Sequence, residues 1–130
     1  MSYYIATTLS LSFDETIART EAALKTECLG IISRIDIQDA LKTKIGVKFR
    51  PDTILGACNP ALAHEALKLE DKVGTMLPCN VVVQAREDGS SEVAAIDPVA
   101  SMQAIENPRL VEPANEVRQR LFRVIQSLQS

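Results

Sequence analysis

The sequence contains no tryptophan, and aromatic residues make up only 4% of its 130 residues. Aromatic side chains supply the stacking faces on which proteins bind single-stranded nucleic acid. A basic excess is also missing, because 14 lysines and arginines stand against 17 aspartates and glutamates, for a net charge of −3. Arg34, Lys48 and Arg50 form a modest basic group, which we interpret as solvated charges at a sheet edge. We therefore expect no nucleic-acid partner.

Long apolar runs are absent as well. No stretch approaches the roughly 18 consecutive apolar residues of a membrane-spanning helix. The opening Met1-Ser2-Tyr3-Tyr4 lacks the basic region and apolar core of a secretory signal. The three cysteines are an odd number, which does not suit a framework of disulfides. We therefore expect a cytoplasmic protein with no membrane partner.

The common catalytic motifs are also missing from the sequence. It has no glycine-rich phosphate loop, no GxSxG elbow, no HExxH pair and no CxxC pair. The single histidine, His64, falls opposite the apolar stripe of its predicted helix, so we expect it at the surface. The sequence therefore identifies no cofactor.

The length and apolar content do suit a folded domain. Hydrophobic residues make up 46% and charged residues 24% of the chain, which is close to the globular average. A chain of 130 residues corresponds to about one domain, and no linker, repeat or low-complexity tract divides it. We expect a single domain over residues 1–130.

Alternating residues and a continuous apolar run predict strands. The five predicted strands are at residues 3–11, 31–37, 53–57, 79–86 (the apolar run) and 92–96. Helical spacing predicts helices after the first and third strands and a long amphipathic helix at the C-terminus. A short helical turn is predicted at 39–44. The order β-α-β-β-α-β-β-α, with short connections, predicts an α+β fold whose antiparallel sheet carries its helices on one face. A ferredoxin-like βαββαβ fold is the nearest alternative.

The ends of the first helix have recognisable sequence signals. Ser12 and Glu15 form a capping box, which predicts the start of the helix. Gly30 is predicted to end it at the C′ position, and Cys28 is predicted to be buried on its apolar stripe. In the strand that follows, the apolar positions predicted to share one face are Ile31, Ile35 and Ile37.

Two cysteines lie in similar turns, each followed by asparagine and close to a proline. Cys58 precedes Asn59, the predicted N-cap of the second long helix, and Cys79 precedes Asn80 at the start of the fourth strand. If the third and fourth strands pair in antiparallel fashion, the two cysteines come together at one end of the sheet. We take Cys58, Asn59, Cys79, Asn80 and Asp97 as the candidate ligand-binding residues.

Two chemistries and one structural role are open for these thiols. A helix N-terminus lowers the pKa of a nearby thiol, so Cys58 is a candidate nucleophile. Cys58 and Cys79 together are candidate ligands for a soft metal, although two thiols do not complete a tetrahedral zinc site. Both cysteines can equally be small apolar core residues. Asp97 is a candidate acid or base, or a turn-forming residue before Pro98.

Three segments carry a resemblance to a known family. They are Thr53-Ile54-Leu55-Gly56-Ala57-Cys58-Asn59-Pro60, Leu77-Pro78-Cys79-Asn80-Val81-Val82-Val83 and Ala95-Ile96-Asp97-Pro98. In this order they resemble the domain of unknown function 302 family. The resemblance implies a fold of the TATA-box-binding-protein-like class, with a curved antiparallel sheet, helices on one side and a homodimeric assembly. It implies no activity, because the family has none established.

Three functions follow from these observations. The first is a non-enzymatic module that binds a small ligand or a soft metal at Cys58 and Cys79. The second is a homodimeric interaction protein with no chemistry of its own. The third is a thiol-dependent redox or transferase enzyme that uses Cys58.

Overall fold

The computed structural model describes residues 2–129 and shows five strands and five α-helices within them. In chain order they are β1 (Tyr4–Leu9), α1 (Phe13–Thr26), β2 (Gly30–Asp36), α2 (Ile37–Ile45), β3 (Asp52–Cys58), α3 (Pro60–Leu69), β4 (Cys79–Ala85), β5 (Ser91–Ile96), α4 (Pro98–Ser101) and α5 (Val111–Leu128). The strands form one antiparallel sheet in the order β1-β5-β4-β3-β2. The predicted α+β class with an antiparallel sheet of five strands is confirmed.

The core lies between one face of the sheet and the helices α1 and α5. Alternate residues of the three central strands are fully buried, which is the period expected of a strand covered on one face. The members of this core include Leu24, Leu55, Val81, Val83, Val93, Ala95, Leu121 and Ile125. Burying each large aliphatic side chain stabilises the fold by about 1.5–3 kcal/mol. The core therefore fixes α1 and α5 against β3, β4 and β5.

The start of α1 follows its sequence signal. Ser12 is the N-cap, and its hydroxyl oxygen accepts a hydrogen bond from the backbone N–H of Glu15 at 3.2 Å. The Ser12 hydroxyl also donates to the Glu15 carboxylate at 3.1 Å. The predicted helix start at Ser12 is confirmed, and the Glu15 carboxylate of the predicted capping box bonds to the Ser12 hydroxyl.

The end of α1 differs from the prediction in two ways. Cys28, with φ of 58°, takes the left-handed C′ position that was assigned to Gly30. The N–H of Cys28 donates to the Lys25 carbonyl at 3.1 Å, and the N–H of Leu29 donates to the Leu24 carbonyl at 3.0 Å. Leu29, rather than Cys28, then packs into the core, because the residue after the left-handed one meets the last turn of the helix. Cys28 is exposed and Gly30 begins β2.

The register of β2 corrects another prediction. Ile31 lies opposite Ala57, but the register then shifts by one residue, so that Ile35 lies opposite Ile54. Because alternate residues face opposite sides, Ile31 and Ile35 fall on different faces. Ile37 is not in the strand, because it begins α2. Every residue of β2 is exposed, so neither face of this edge strand enters the core.

Close backbone approach at Gly56 supports a prediction about the sheet. A Cβ atom at Gly56 would meet the Ser33 hydroxyl on β2 and lie 2.7 Å from Cγ of Pro78 before β4. We expect Gly56→Ala to lower the free energy of unfolding by about 1–3 kcal/mol, because both neighbours must move. Chemical denaturation measures this change.

A matched control is Gly30→Ala, where the nearest atom to a new Cβ is the Cys58 carbonyl oxygen at 3.9 Å. We expect no loss of stability from this variant. Equal effects of the two substitutions would contradict the interpretation that packing requires glycine at Gly56.

Candidate functional site

The antiparallel pairing of β3 with β4 brings the two cysteine turns to the same end of the sheet. Ala57 lies directly opposite Cys79, and Cys58 is the next residue along β3. Cys58 and Cys79 both line one cavity, which we call the thiol cavity. The prediction that the two cysteines come together depended on antiparallel pairing of the third and fourth strands, and this pairing is present. All three cysteines are free thiols.

The thiol cavity lies between this end of the sheet and the helices α3, α4 and α5, and its volume is about 40 Å³. Its polar lining comes from the Asn59 amide and the two thiols. The remaining lining residues are apolar, namely Leu29, Ala57, Leu62, Ala63, Ala66, Leu77, Pro98, Met102, Leu110, Pro113, Ala114 and Val117. A cavity of this size exceeds the ~10–15 Å³ that a single water requires.

Asn59 holds the wall of the cavity in place. It is the N-cap of α3, as predicted, and its Oδ1 accepts a hydrogen bond from the N–H of Leu62 at 3.0 Å. Its Nδ2 donates to the carbonyl of Cys28 at 3.2 Å. Because both ends of the amide are bonded, Asn59 connects the start of α3 to the turn after α1.

Burial determines the protonation of both thiols. Desolvation raises the pKa of Cys58. The pKa of Cys79 rises to about 11, chiefly because the side chain is buried and secondly because of the nearby Cys58 charge. The predicted lowering of the Cys58 pKa by the N-terminus of α3 is wrong in direction. The cause of the rise is the loss of hydration, so both groups are neutral thiols at pH 7.

Asn80 lies outside the thiol cavity. It follows Cys79 on β4, so its side chain falls on the opposite face of the sheet. Asn80 is exposed, whereas Cys79 is buried. Asn80 was a candidate because it follows Cys79 in the sequence. Consecutive residues of a strand face opposite sides of the sheet, so Asn80 lies away from the two thiols.

Asp97 also lies outside the cavity lining, and its carboxylate is bonded elsewhere. It caps α4, since Oδ1 accepts from the N–H of Val99 at 3.0 Å and from that of Ala100 at 3.4 Å. Its Oδ2 accepts from Nε of Arg118 on α5 at 3.0 Å. Asp97 thereby holds α4 against α5, and Pro98, the next residue, reaches the cavity. Its role as a turn-forming residue is observed.

Sequence reasoning missed most of the cavity wall. Met102 and Leu110 come from the connection between α4 and α5, where no sequence period marks a buried face. Ala114 and Val117 belong to the predicted apolar stripe of the C-terminal helix, which identified them as buried but not as lining a cavity. The sequence therefore indicated that these two residues are buried, but not that they line the thiol cavity.

Metal-binding side chains do not cluster around the two thiols. Across residues 2–129, no group of three or more histidine, cysteine, aspartate or glutamate side chains is placed to hold a metal ion. His64 is exposed on α3, as predicted from its position opposite the apolar stripe. Any metal at Cys58 and Cys79 would have to take its further ligands from outside these side chains.

Comparison with known proteins places the chain in a family. The crystal structure of an uncharacterized conserved protein DUF302 from Bacillus stearothermophilus is similar over 97% of this chain and 98% of that chain, with 29% sequence identity and a TM-score of 0.89. No curated protein matches the chain. The family model described as domain of unknown function DUF302 matches residues 5–128. Because the match covers nearly the whole chain, this protein belongs to the DUF302 family.

Proposed function

We propose that the thiol cavity binds a small, uncharged, apolar molecule. The observation that carries the proposal is the lining, which is apolar apart from one amide and two neutral thiols. Ligand sites are typically concave and mostly apolar, with a few polar groups that orient the ligand. Here the groups that can orient a ligand are the thiols of Cys58 and Cys79 and the amide of Asn59.

The charge state of the wall favours a neutral ligand. Burying an unpaired charge is expensive, and none of the residues that line the cavity is charged. Both thiol pKa values are raised, so neither cysteine supplies a negative charge at pH 7. The same shift weakens the proposal of an activated Cys58 nucleophile, because the thiolate is the reactive form.

A soft metal at Cys58 and Cys79 is less well supported by these charges. Metal binding releases the thiol protons, and a Cys79 pKa of about 11 instead of 9.0 makes that release about a hundredfold less favourable. An apolar molecule needs no such proton release.

The volume of the cavity limits the size of its ligand. About 40 Å³ accommodates an apolar molecule of a few heavy atoms. Met102 forms part of the wall, and the unbranched methionine side chain can repack around a larger group. The proposed ligand class is therefore small and neutral.

Binding of xenon tests whether the cavity takes up an apolar guest. We expect saturable shifts in the methyl NMR signals of Ala57, Ala63 and Ala114 as the xenon pressure rises, because these side chains line the cavity. The variant Ala63→Leu should abolish the shifts by filling the space. Native mass spectrometry of the protein from its own cells should show a bound neutral compound that is absent from this variant.

Ala61→Leu is the matched control, because Ala61 lies on the same helix but is exposed and is not part of the lining. It should bind xenon as the unmodified protein does. Equal binding by both variants, or no binding by the unmodified protein, would refute the proposal. If elemental analysis finds a soft metal in stoichiometric amount, the proposal of an apolar ligand is wrong and the cavity is a metal site.

The raised pKa of Cys79 predicts a loss of stability at alkaline pH. The unfolded thiol ionises near 9.0 and the folded one near 11, so deprotonation favours the unfolded state as the pH rises between these values. The stabilisation is complete below pH 9, and about 2–3 kcal/mol is lost by pH 11. Denaturant titrations should show a flatter pH profile for Cys79→Val. Identical profiles for the two proteins would rule out this assignment.

A second candidate function is association with another copy of the chain through β2. This strand is an edge of the sheet, all of its residues are exposed, and Ile32 is 63% exposed. The free backbone groups of an edge strand can pair with another strand. The register shift that distorts β2 is confined to residues 31–33, so the rest of the strand is regular. Antiparallel pairing of two copies of β2 satisfies both edges at once through a twofold axis.

Sedimentation equilibrium tests this association. We expect the unmodified protein to form a dimer, and Ile35→Lys on β2 to raise the dimer dissociation constant by about tenfold or more through the loss of apolar contact. Leu67→Lys is the control, because Leu67 is an exposed apolar residue on α3. A monomer at all concentrations, or equal effects of both variants, would exclude β2 as the contact.

A further inference from the structure

The end of α2 and the loop after it contain an unusual alternation of cations and apolar residues. We call residues 42–50 the basic tip. Around Gly46 the cations are Lys42, Lys44, Lys48 and Arg50, and the large apolar residues are Ile45, Val47 and Phe49. All nine residues are exposed.

The backbone fixes how the apolar side chains are presented. Gly46 ends α2 with φ of 67°, and its N–H donates to the Lys42 carbonyl at 3.0 Å. Ile45 and Val47 flank this turn and are 67% and 43% exposed. At the base of the loop, Nε2 of Gln38 donates to the Phe49 carbonyl at 2.9 Å. The tip is therefore a closed turn held at its base, with two aliphatic side chains at its apex.

The charge of the tip is opposite to that of the rest of the protein. Residues 40–51 contain four cations and no carboxylate, although the chain as a whole has a net charge of −3. Arg50 is held by the buried Asp52, with Nη2 and Oδ2 3.5 Å apart. Lys42 and Lys48 share a groove with Asp36 and Asp39, and Lys48 also lines a second groove with Glu87 and Asp88. Lys44 lines neither groove, so the positive charge of the tip is least offset beside Ile45.

We propose that the basic tip binds the surface of an anionic lipid bilayer. In this arrangement Ile45 and Val47 enter the interface, while the lysines lie among the negative headgroups. Apolar side chains flanked by lysine and arginine are the combination that binds proteins to membrane surfaces. The proposal is independent of the thiol cavity.

Two observations favour a lipid surface over the alternatives. A single-stranded nucleic acid needs open aromatic faces, but the tip has only Phe49, and the Arg50 guanidinium lies over that ring at 4.6 Å. Ile45 and Val47 offer no hydrogen bonds to a base or to a peptide. This proposal departs from the expectation of no membrane partner, which rested on the lack of a long apolar run and of a secretory signal. Within residues 2–129 no helix has the length and hydropathy to cross a bilayer, so the proposed contact is with the bilayer surface.

Vesicle binding tests the proposal, and the fluorescence of a single introduced tryptophan reports it. Because the sequence contains no tryptophan, Ile45→Trp places a single indole at the apex. We expect this protein to sediment with phosphatidylcholine vesicles that contain phosphatidylserine and not with phosphatidylcholine alone. Its emission should shift to shorter wavelength on binding, and added salt should weaken the binding.

Paired variants separate the contributions of charge and apolar contact. Lys44→Gln with Lys48→Gln should reduce partitioning by roughly 25-fold, and Ile45→Ser by about tenfold. The controls are Lys25→Gln with Lys68→Gln, and Val111→Ser, all at exposed positions elsewhere. They should partition as the unmodified protein does. Circular dichroism confirms that each variant is folded.

Several outcomes would overturn the proposal. Equal binding to neutral and anionic vesicles would remove the role of the lysines. If the tip variants and their controls have equal effects, the basic tip is not the surface that binds the vesicles. Binding of single-stranded RNA, with no emission shift on vesicles, would assign the surface to a polyanion instead of a lipid.

Discussion

The antiparallel pairing of β3 with β4 determines both the core and the thiol cavity. Alternate pairs along these strands face α1 and α5, and one such pair, Leu55 and Val81, lies in the centre of the core. At the end of the same ladder, Ala57 and Cys79 pair where the helices no longer fill the space completely. Because one-residue slippage would turn every side chain to the other face, the packing of the core also fixes the position of the two cysteines.

The thiols show how a position in the fold overrides local sequence context. A cysteine beside a helix N-terminus is expected to ionise easily, but Cys58 does not, because burial raises its pKa. Cys79 is more deeply buried, and its pKa is raised further, to about 11. The protonation of both thiols is the reason that we propose a neutral ligand and not a nucleophilic role for Cys58.

Local signals in the sequence were reliable where a side chain bonds to its own neighbourhood. Ser12 and Asn59 begin their helices as their types and spacings predict, since an N-cap needs only the next three residues. The left-handed residue after α1 could not be predicted in the same way, because glycine is the usual choice and this chain uses Cys28. Cys28 takes the left-handed position expected of Gly30, and Leu29 takes the buried position expected of Cys28.

Long-range features were predicted less well, for a different physical reason. The fold class followed from the order of strands and helices, which short connections constrain strongly. The register shift in β2 separates Ile31 from Ile35, and no local motif announces it. The cavity wall draws on Met102 and Leu110, whose positions depend on how α4 is joined to α5. Asn80 and Asp97 were predicted as site residues from the sequence around the cysteines. Asn80 faces the other side of the sheet, and the Asp97 carboxylate caps α4.

The bond between the Asn59 amide and the Cys28 carbonyl has a consequence for the surface of the protein. Cys28 adopts a backbone conformation that costs a non-glycine residue about 1–2 kcal/mol, and the hydrogen bonds of the turn offset this cost. Its carbonyl is joined directly to the side chain that starts α3 and borders the cavity. The backbone of an exposed cysteine thus helps to anchor the residue that borders the cavity.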